Sequence, residues 1–313
     1  MTKNRIGGAI LALALALAAT SAPALAEETA RPAGAPMEPR DAAARERERA
    51  AMIAFYNAMG GPDWIQRDFW GSDRPVGAWH GVTLDADGFV VMLTIYDNNV
   101  TGKLSAAICG LERLHTLHLS FNNIFGALPE ELRACRALKN LWLKGNKLTG
   151  ILPASVALLP ELEYLDVHAN AMSGPLPAKW DTPKLKQFWG NDNAISGPLP
   201  AALLAQPRLE QLVLHNNKLS GPIPSTLSPS LALLLLTNNA LSGPIPESFG
   251  ALKKLTDLRL NRNQLSGPIP ASLTDAPALQ VLRLDHNRLK GRIPDGLVRR
   301  LIVFDASDNP GLK

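Results

Sequence analysis

The sequence predicts an α/β repeat solenoid, a chain that stacks one short strand and one return segment per unit. Three observations carry this expectation. The first is a motif, LxxLxLxxNxLxGxxPxxL, written most fully around LRLNRNQLSGPIPASL at 258–273. Units start at Val90, Leu114, Leu138, Leu162, Leu185, Leu209, Leu231, Leu255, Leu279 and Leu301, a spacing of 22 to 24 residues throughout. So constant a period marks stacked structural repeats. The second is an Asn at the ninth position of every unit, from Asn98 through Asn217 to Asn309. After a short strand the backbone turns inward and strands polar groups in an apolar interior. An Asn amide offers both a donor and an acceptor to satisfy them. The third is a Gly at the thirteenth position in nine units, with Pro at the sixteenth in eight of those nine. Gly admits unusual dihedrals and Pro fixes φ and removes a donor, so the return segments read as extended and turn-rich, without long helices.

Composition agrees. The 313 residues are 46% hydrophobic but only 5% aromatic, the balance of a Leu-based repeat and not of an aromatic-rich enzyme core. The net charge of +4 includes Lys3 and Arg5; without residues 1–26 it falls to 30 − 28 = +2. No basic tract stands out, so nucleic acid is not an expected partner.

Before the repeats the chain divides into three stretches. MTKNR, an apolar run and Ala24-Leu25-Ala26 read as a secretory signal peptide, residues 1–26. The run is short for a bilayer span, as is LALLLL at 231–236, so no membrane-spanning segment is expected. Residues 27–40, Pro- and Ala-rich and without periodicity, read as a disordered spacer. Residues 41–89 read as a cap on the first repeat, because a bare first repeat would expose its Leu row and a strand edge. Asp41 is its expected N-cap, and Ala51, Met52, Phe55, Tyr56 and Met59 follow helical spacing up to Gly60-Gly61-Pro62. Trp64, Trp70 and Trp79 follow as core. GVTL and FVVML flank Asp85-Ala86-Asp87-Gly88 as a hairpin; a calcium loop would need further ligands that are absent. Cys109 and Cys135 fall at positions 20 and 22 of adjacent units, so either a disulfide or two buried thiols fits.

The motif LxxLxLxxNxLxGxIP resembles the plant-specific class of leucine-rich repeats over about residues 41–313. The stretch AFYNAMGGPDW with the later Trp residues and WHGVTLDADGFVVML resembles that family's N-terminal cap. The resemblance implies a right-handed, twisted horseshoe or superhelix with a concave parallel β-sheet and ten repeats over 90–313. The chain departs from plant ectodomains in lacking the paired cap cysteines, and it stops two residues after Gly311. Those departures point to a bacterial-type secreted member. By the same resemblance, soluble members include inhibitors of secreted polysaccharide hydrolases, and related ectodomains sense peptides.

No chemistry-bearing motif is present: no GxSxG, GxxxxGK[ST], HExxH or CxxC. Asp166 and Asp192 could be posed as paired carboxylates, but no cleft is evident around them. His118, His168 and His215 share one face in alternate repeats; with strands about 4.8 Å apart they stand roughly 10 Å apart, too far for one ion. No cofactor, metal or catalytic residue is therefore expected, and the chain reads as non-enzymatic. Positions 3, 5 and 7 of each repeat should point away from the core. They place Tyr96, His118, Trp142, Tyr164, Asp166, His168, Trp189 and His215 on repeats one to six, and Arg259, Arg283 and Asp285, with adjacent Arg262, on repeats eight and nine. The aromatics would anchor an extracellular protein or peptide and the charged cluster would orient it. A glycan stacked on Tyr96, Trp142, Tyr164 and Trp189 is the alternative, and an adhesive spacer a third. The expected location is secreted, with periplasm or cell surface as variants. In the repeat-five strand Gly190 replaces the usual Leu, either to admit a bulky neighbour or to mark a kink.

Overall fold

The computed structural model describes residues 39–313; the signal-peptide stretch and nearly all of the spacer lie outside them. A 20-residue helix, α1 (Pro39–Ala58), opens the described chain. It begins two residues before Asp41, because Pro fits the first helical position, where its missing N–H would have had no partner anyway. Met52 and Phe55 on its inner face, and Met59 just past its end, are fully buried. They meet an indole cluster: Trp70 lies 5.0 Å from Trp64 and 5.1 Å from Trp79, and stacks on Tyr56 at 5.5 Å. All three indoles are core, as their spacing in an otherwise irregular segment required.

The cap hairpin pairs β1 (Val82–Leu84) with β2 (Val90–Thr94) antiparallel. Asp85 closes the turn by accepting the backbone N–H groups of Asp87 and Phe89, and Arg113 bridges Asp85 and Asp87 at 2.8 Å each. The acidic turn is therefore occupied by an arginine and by its own backbone. Strand β2 is also the strand of the first repeat. From it, one three-residue strand per repeat continues in parallel, giving an eleven-stranded sheet with ten strands contributed by the repeats. Register is in phase throughout: Leu117 faces Leu141, Leu165 faces Phe188, and Leu212 faces Leu234. These fourth-position side chains and the sixth-position Leu residues are buried, and the alternate residues face outward.

A second, ten-stranded sheet runs through the return segments, in strands such as Lys147–Gly150 and Lys218–Gly221. The Gly and Pro ranks foretell extended backbone there; that the segments hydrogen-bond into a sheet is an addition from the structure. Short 3₁₀ turns, such as Glu130–Ala134 and Glu247–Ala251, complete most repeats.

Each ninth-position Asn ties two repeats together. Asn217 accepts the N–H of Ile195 at 2.9 Å and donates to the carbonyls of Gly190 and Leu214 at 3.0 and 3.1 Å. Asn146 repeats the pattern with Ile124, Leu119 and Leu143. At the cap, Gln66 supplies the missing rung: its N–H donates to Asn98 Oδ1, and its carbonyl accepts from Asn98 Nδ2 at 2.7 Å. The residue before each Asn is left-handed in all ten units: Asp97, Phe121, Gly145, Ala169, Asp192, Asn216, Asn238, Arg262, His286 and Asp308, with φ between 47° and 64°. Most of these are Asp, Asn or Gly, which tolerate that region, whereas a bulky side chain there is costly.

Two open points resolve. Cys109 and Cys135 form a disulfide with Cα atoms 4.5 Å apart. At Gly190 a Cβ would stand 3.1 Å from the Phe188 ring and 3.0 Å from Leu214, so the glycine makes room for the larger fourth-position residue of its own strand.

Replacing Asn217 by Ala leaves the Ile195 N–H and two carbonyls without this partner. Stability should fall by roughly 1–3 kcal/mol, read by denaturant unfolding; an unchanged midpoint would overturn the ladder account. Reducing Cys109–Cys135, which are 26 residues apart, should cost roughly 3–4 kcal/mol on loop-closure grounds, visible as a lower melting temperature with reductant.

Candidate functional site

The outward positions of the long sheet divide into two ends. At the N-terminal end the strands hold an unbroken aromatic run. Phe121 lies 5.3 Å from Tyr96, Tyr96 lies 5.4 Å from His118, and His118 meets Trp142 edge-on at 5.0 Å. Tyr96 is 51% exposed and Phe121 41%, while Trp142 and Trp189 are half-buried. Strand alternation places Tyr96, Trp142, Tyr164 and Trp189 outward alike. Of these Tyr96 is the most exposed, and Phe121 joins it, while His118 and His168 pack edge-on against the two indoles and cover them in part. The Trp189 indole N–H is buried with no acceptor. Tyr164 is half-buried beside the Lys186 ammonium, 5.7 Å from its ring.

Between the ends, Asp166 bonds the His168 ring at 2.5 Å. Asp192 accepts from Asn216 at 2.7 Å and from Asn191 at 2.6 Å. Burial pushes the Asp192 carboxyl up, but those two hydrogen bonds and the His215 and His168 rings outweigh it and hold it below its usual range. Asp166 and Asp192 are thus each engaged by their own neighbours and form no carboxylate pair. Burial pushes the His118 and His215 imidazoles down, against the pull of Asp166 and Asp192 respectively. Among the described residues, no three His, Cys, Asp or Glu side chains stand where they could hold a metal ion.

At the C-terminal end the charges are matched within the chain. Arg259 makes a two-pronged contact with Asp257, at 2.9 and 2.8 Å. Arg283 bridges Asp285 and Asp305 at 3.1 and 3.0 Å, and Asp285 is buried. Both guanidiniums of this cluster are therefore paired within the chain, Arg259 in its own repeat and Arg283 also with the next strand. Arg262 projects from the left-handed rank and makes no ion pair among the described residues. Sequence reading passed over Phe121 because it sits outside the third, fifth and seventh positions; the run of Asp, Asn and Gly in its rank is the signal that marks it as the odd residue.

Fold and face together define a class: a parallel-sheet solenoid that displays a non-repetitive side-chain surface on an invariant scaffold. A leucine-rich repeat family model matches residues 112–172 and 229–289, and a single-repeat model matches 208–229. A search of curated proteins finds no match. Among solved structures, the chain is similar to the ectodomain of the receptor kinase GASSHO1/SCHENGEN3 from Arabidopsis thaliana in complex with CASPARIAN STRIP INTEGRITY FACTOR 2. Identity is 30% and TM-score 0.78, over 85% of this chain and 33% of that one. It is similar to the Arabidopsis HAESA ectodomain in complex with an N-terminally extended IDA peptide hormone, at 30% identity and TM-score 0.74, over 85% and 46% of the two chains. It is also similar to a plant ice-binding protein, at 26% identity and TM-score 0.63, over 86% of this chain and 95% of that one. The chain thus spans between a third and a half of the two receptor ectodomains. It is a leucine-rich repeat protein of the plant-type repeat class.

The lowered imidazoles make a pH prediction. A His whose folded pKa lies below its unfolded value of about 6.5 contributes stability above that pH and loses it as pH falls towards the folded value. The melting temperature should therefore drop between pH 7 and pH 5. Replacing both His118 and His215 by Gln should flatten part of that drop; an unaltered profile would contradict the burial argument.

Proposed function

We propose that this chain is a non-enzymatic recognition module that binds a protein or peptide along the concave face of repeats one to six. The observation that carries the reading is the aromatic run Phe121–Tyr96–His118–Trp142, whose exposed members no other element of the described chain covers. Large amphipathic rings at the centre of a surface are the usual anchors of protein interfaces. Rings held by buried neighbours also lose little freedom on binding. The two receptor ectodomains give the reading a precedent, since both were solved with ligands bound and HAESA with a peptide hormone. The signal-like composition of residues 1–26 supports a location outside the cytoplasm. Among the described residues no helix is long and apolar enough to cross a membrane.

The test uses a displayed random peptide library and an affinity capture with the folded protein. Wild-type protein should enrich specific sequences, and the double variant Trp142→Ala with Trp189→Ala should lose them while keeping its circular dichroism spectrum. Full retention of binding by that variant would overturn the concave-face reading. Specific hydrolytic turnover by the purified wild-type protein would overturn the non-enzymatic part.

A further inference from the structure

Seven side chains at the third, fifth and seventh positions of the ten repeats carry a formal charge. Six of them are held by partners within the chain. Asp166 is bonded to His168, Asp257 to Arg259, and Arg283 to Asp285 and Asp305. The seventh, Lys144, makes no ion pair among the described residues. Its ammonium lies 4.9 Å from the centre of the Phe121 ring, inside the aromatic run, and the side chain is half-exposed. Every other charge at these three positions is paired within the fold; this one is presented, and the other unpaired cation of the face, Arg262, lies five repeats away from the rings.

Phe121 points to the same place. It holds a left-handed backbone with φ 57°, a conformation bulky residues avoid, and it still leaves 41% of its surface in water. The rest of that rank is Gly, Ala or polar. A residue unfavourable on both counts packs its ring on Tyr96, on the Lys144 ammonium and over the backbone of Gly145, and still leaves much of that ring in water. Backbone strain retained at one exposed position is a mark of a working surface.

We infer that Lys144 and Phe121, with Tyr96, His118 and Trp142, form a subsite for an acidic peptide, in which a side-chain carboxylate pairs with Lys144 while an adjacent aromatic or large aliphatic side chain packs on the rings. The inference rests on the concave-face reading and specifies its ligand. A carboxylate is the complement of the one unmatched cation beside these rings, and the rings shield the pair from competing water. A basic peptide would meet Lys144 unmatched, and a neutral one would leave its charge unused.

The test pans a displayed random 12-residue peptide library, fused so that no peptide C-terminus is free, on the full-length folded protein. The enriched peptide is then made synthetically and titrated by calorimetry. Wild-type protein should enrich Asp or Glu next to an aromatic or large aliphatic residue, with binding that weakens as salt rises. Lys144→Gln should weaken that peptide about tenfold or more, the loss of one charge-assisted contact. Lys144→Glu should select Lys or Arg at the same place. Phe121→Asn should raise the melting temperature and weaken binding together, a combination that a purely structural role would not give. The proposal is overturned if acidic residues are not enriched, or if both Lys144 variants bind the wild-type peptide unchanged. Should that occur while Trp142→Ala still abolishes binding, the subsite fails and the concave interface stands; if wild-type protein enriches nothing, both fail.

Discussion

The amide of one Asn per repeat is the constraint on which the rest depends. Each such side chain accepts a backbone N–H from the preceding repeat and donates to carbonyls of both, as at Asn146 and Asn217. The backbone can then turn inward after three residues of strand without leaving polar groups unpaired in an apolar interior. The left-handed residue before each Asn makes the turn. The cap obeys the same rule, with Gln66 standing in for the repeat that does not exist. Nothing in the ladder involves the outward side chains of the long sheet, so those positions can vary without altering the scaffold.

That separation explains what the sequence makes legible. Asn217 and Leu212 could be placed from identity and spacing alone, because their chemistry and their structural task coincide. The cap could be read from Trp64, Trp70 and Trp79, because three indoles in an irregular stretch need a core to occupy. Which side chains face outward follows from strand alternation. How far each is covered does not: His118 and His168, two strand neighbours, decide that Trp142 and Trp189 are half-buried. The pairing of Arg283 with Asp305 depends on both lying at the same position of adjacent strands, which become neighbours only in the folded register. Phe121 runs against local preference, and residues that do so are visible only once the backbone is known.

The two ends of the concave face differ in what they have left to offer. At repeats eight to ten Arg259 and Arg283 are paired with carboxylates of their own repeat, and Arg283 also reaches Asp305 on the next strand. At repeats one to three, exposed rings and an unmatched ammonium remain. The charged end is thus largely paired within the chain, whereas the aromatic end keeps accessible rings.

The measurement that bears most directly on this division is hydrogen exchange on the protein with and without its enriched peptide. Amides across residues 92–96, 116–121 and 140–145 should become slower to exchange on binding, with 257–261 and 281–286 unchanged. Protection confined to the charged strands, or to the second sheet, would contradict the account.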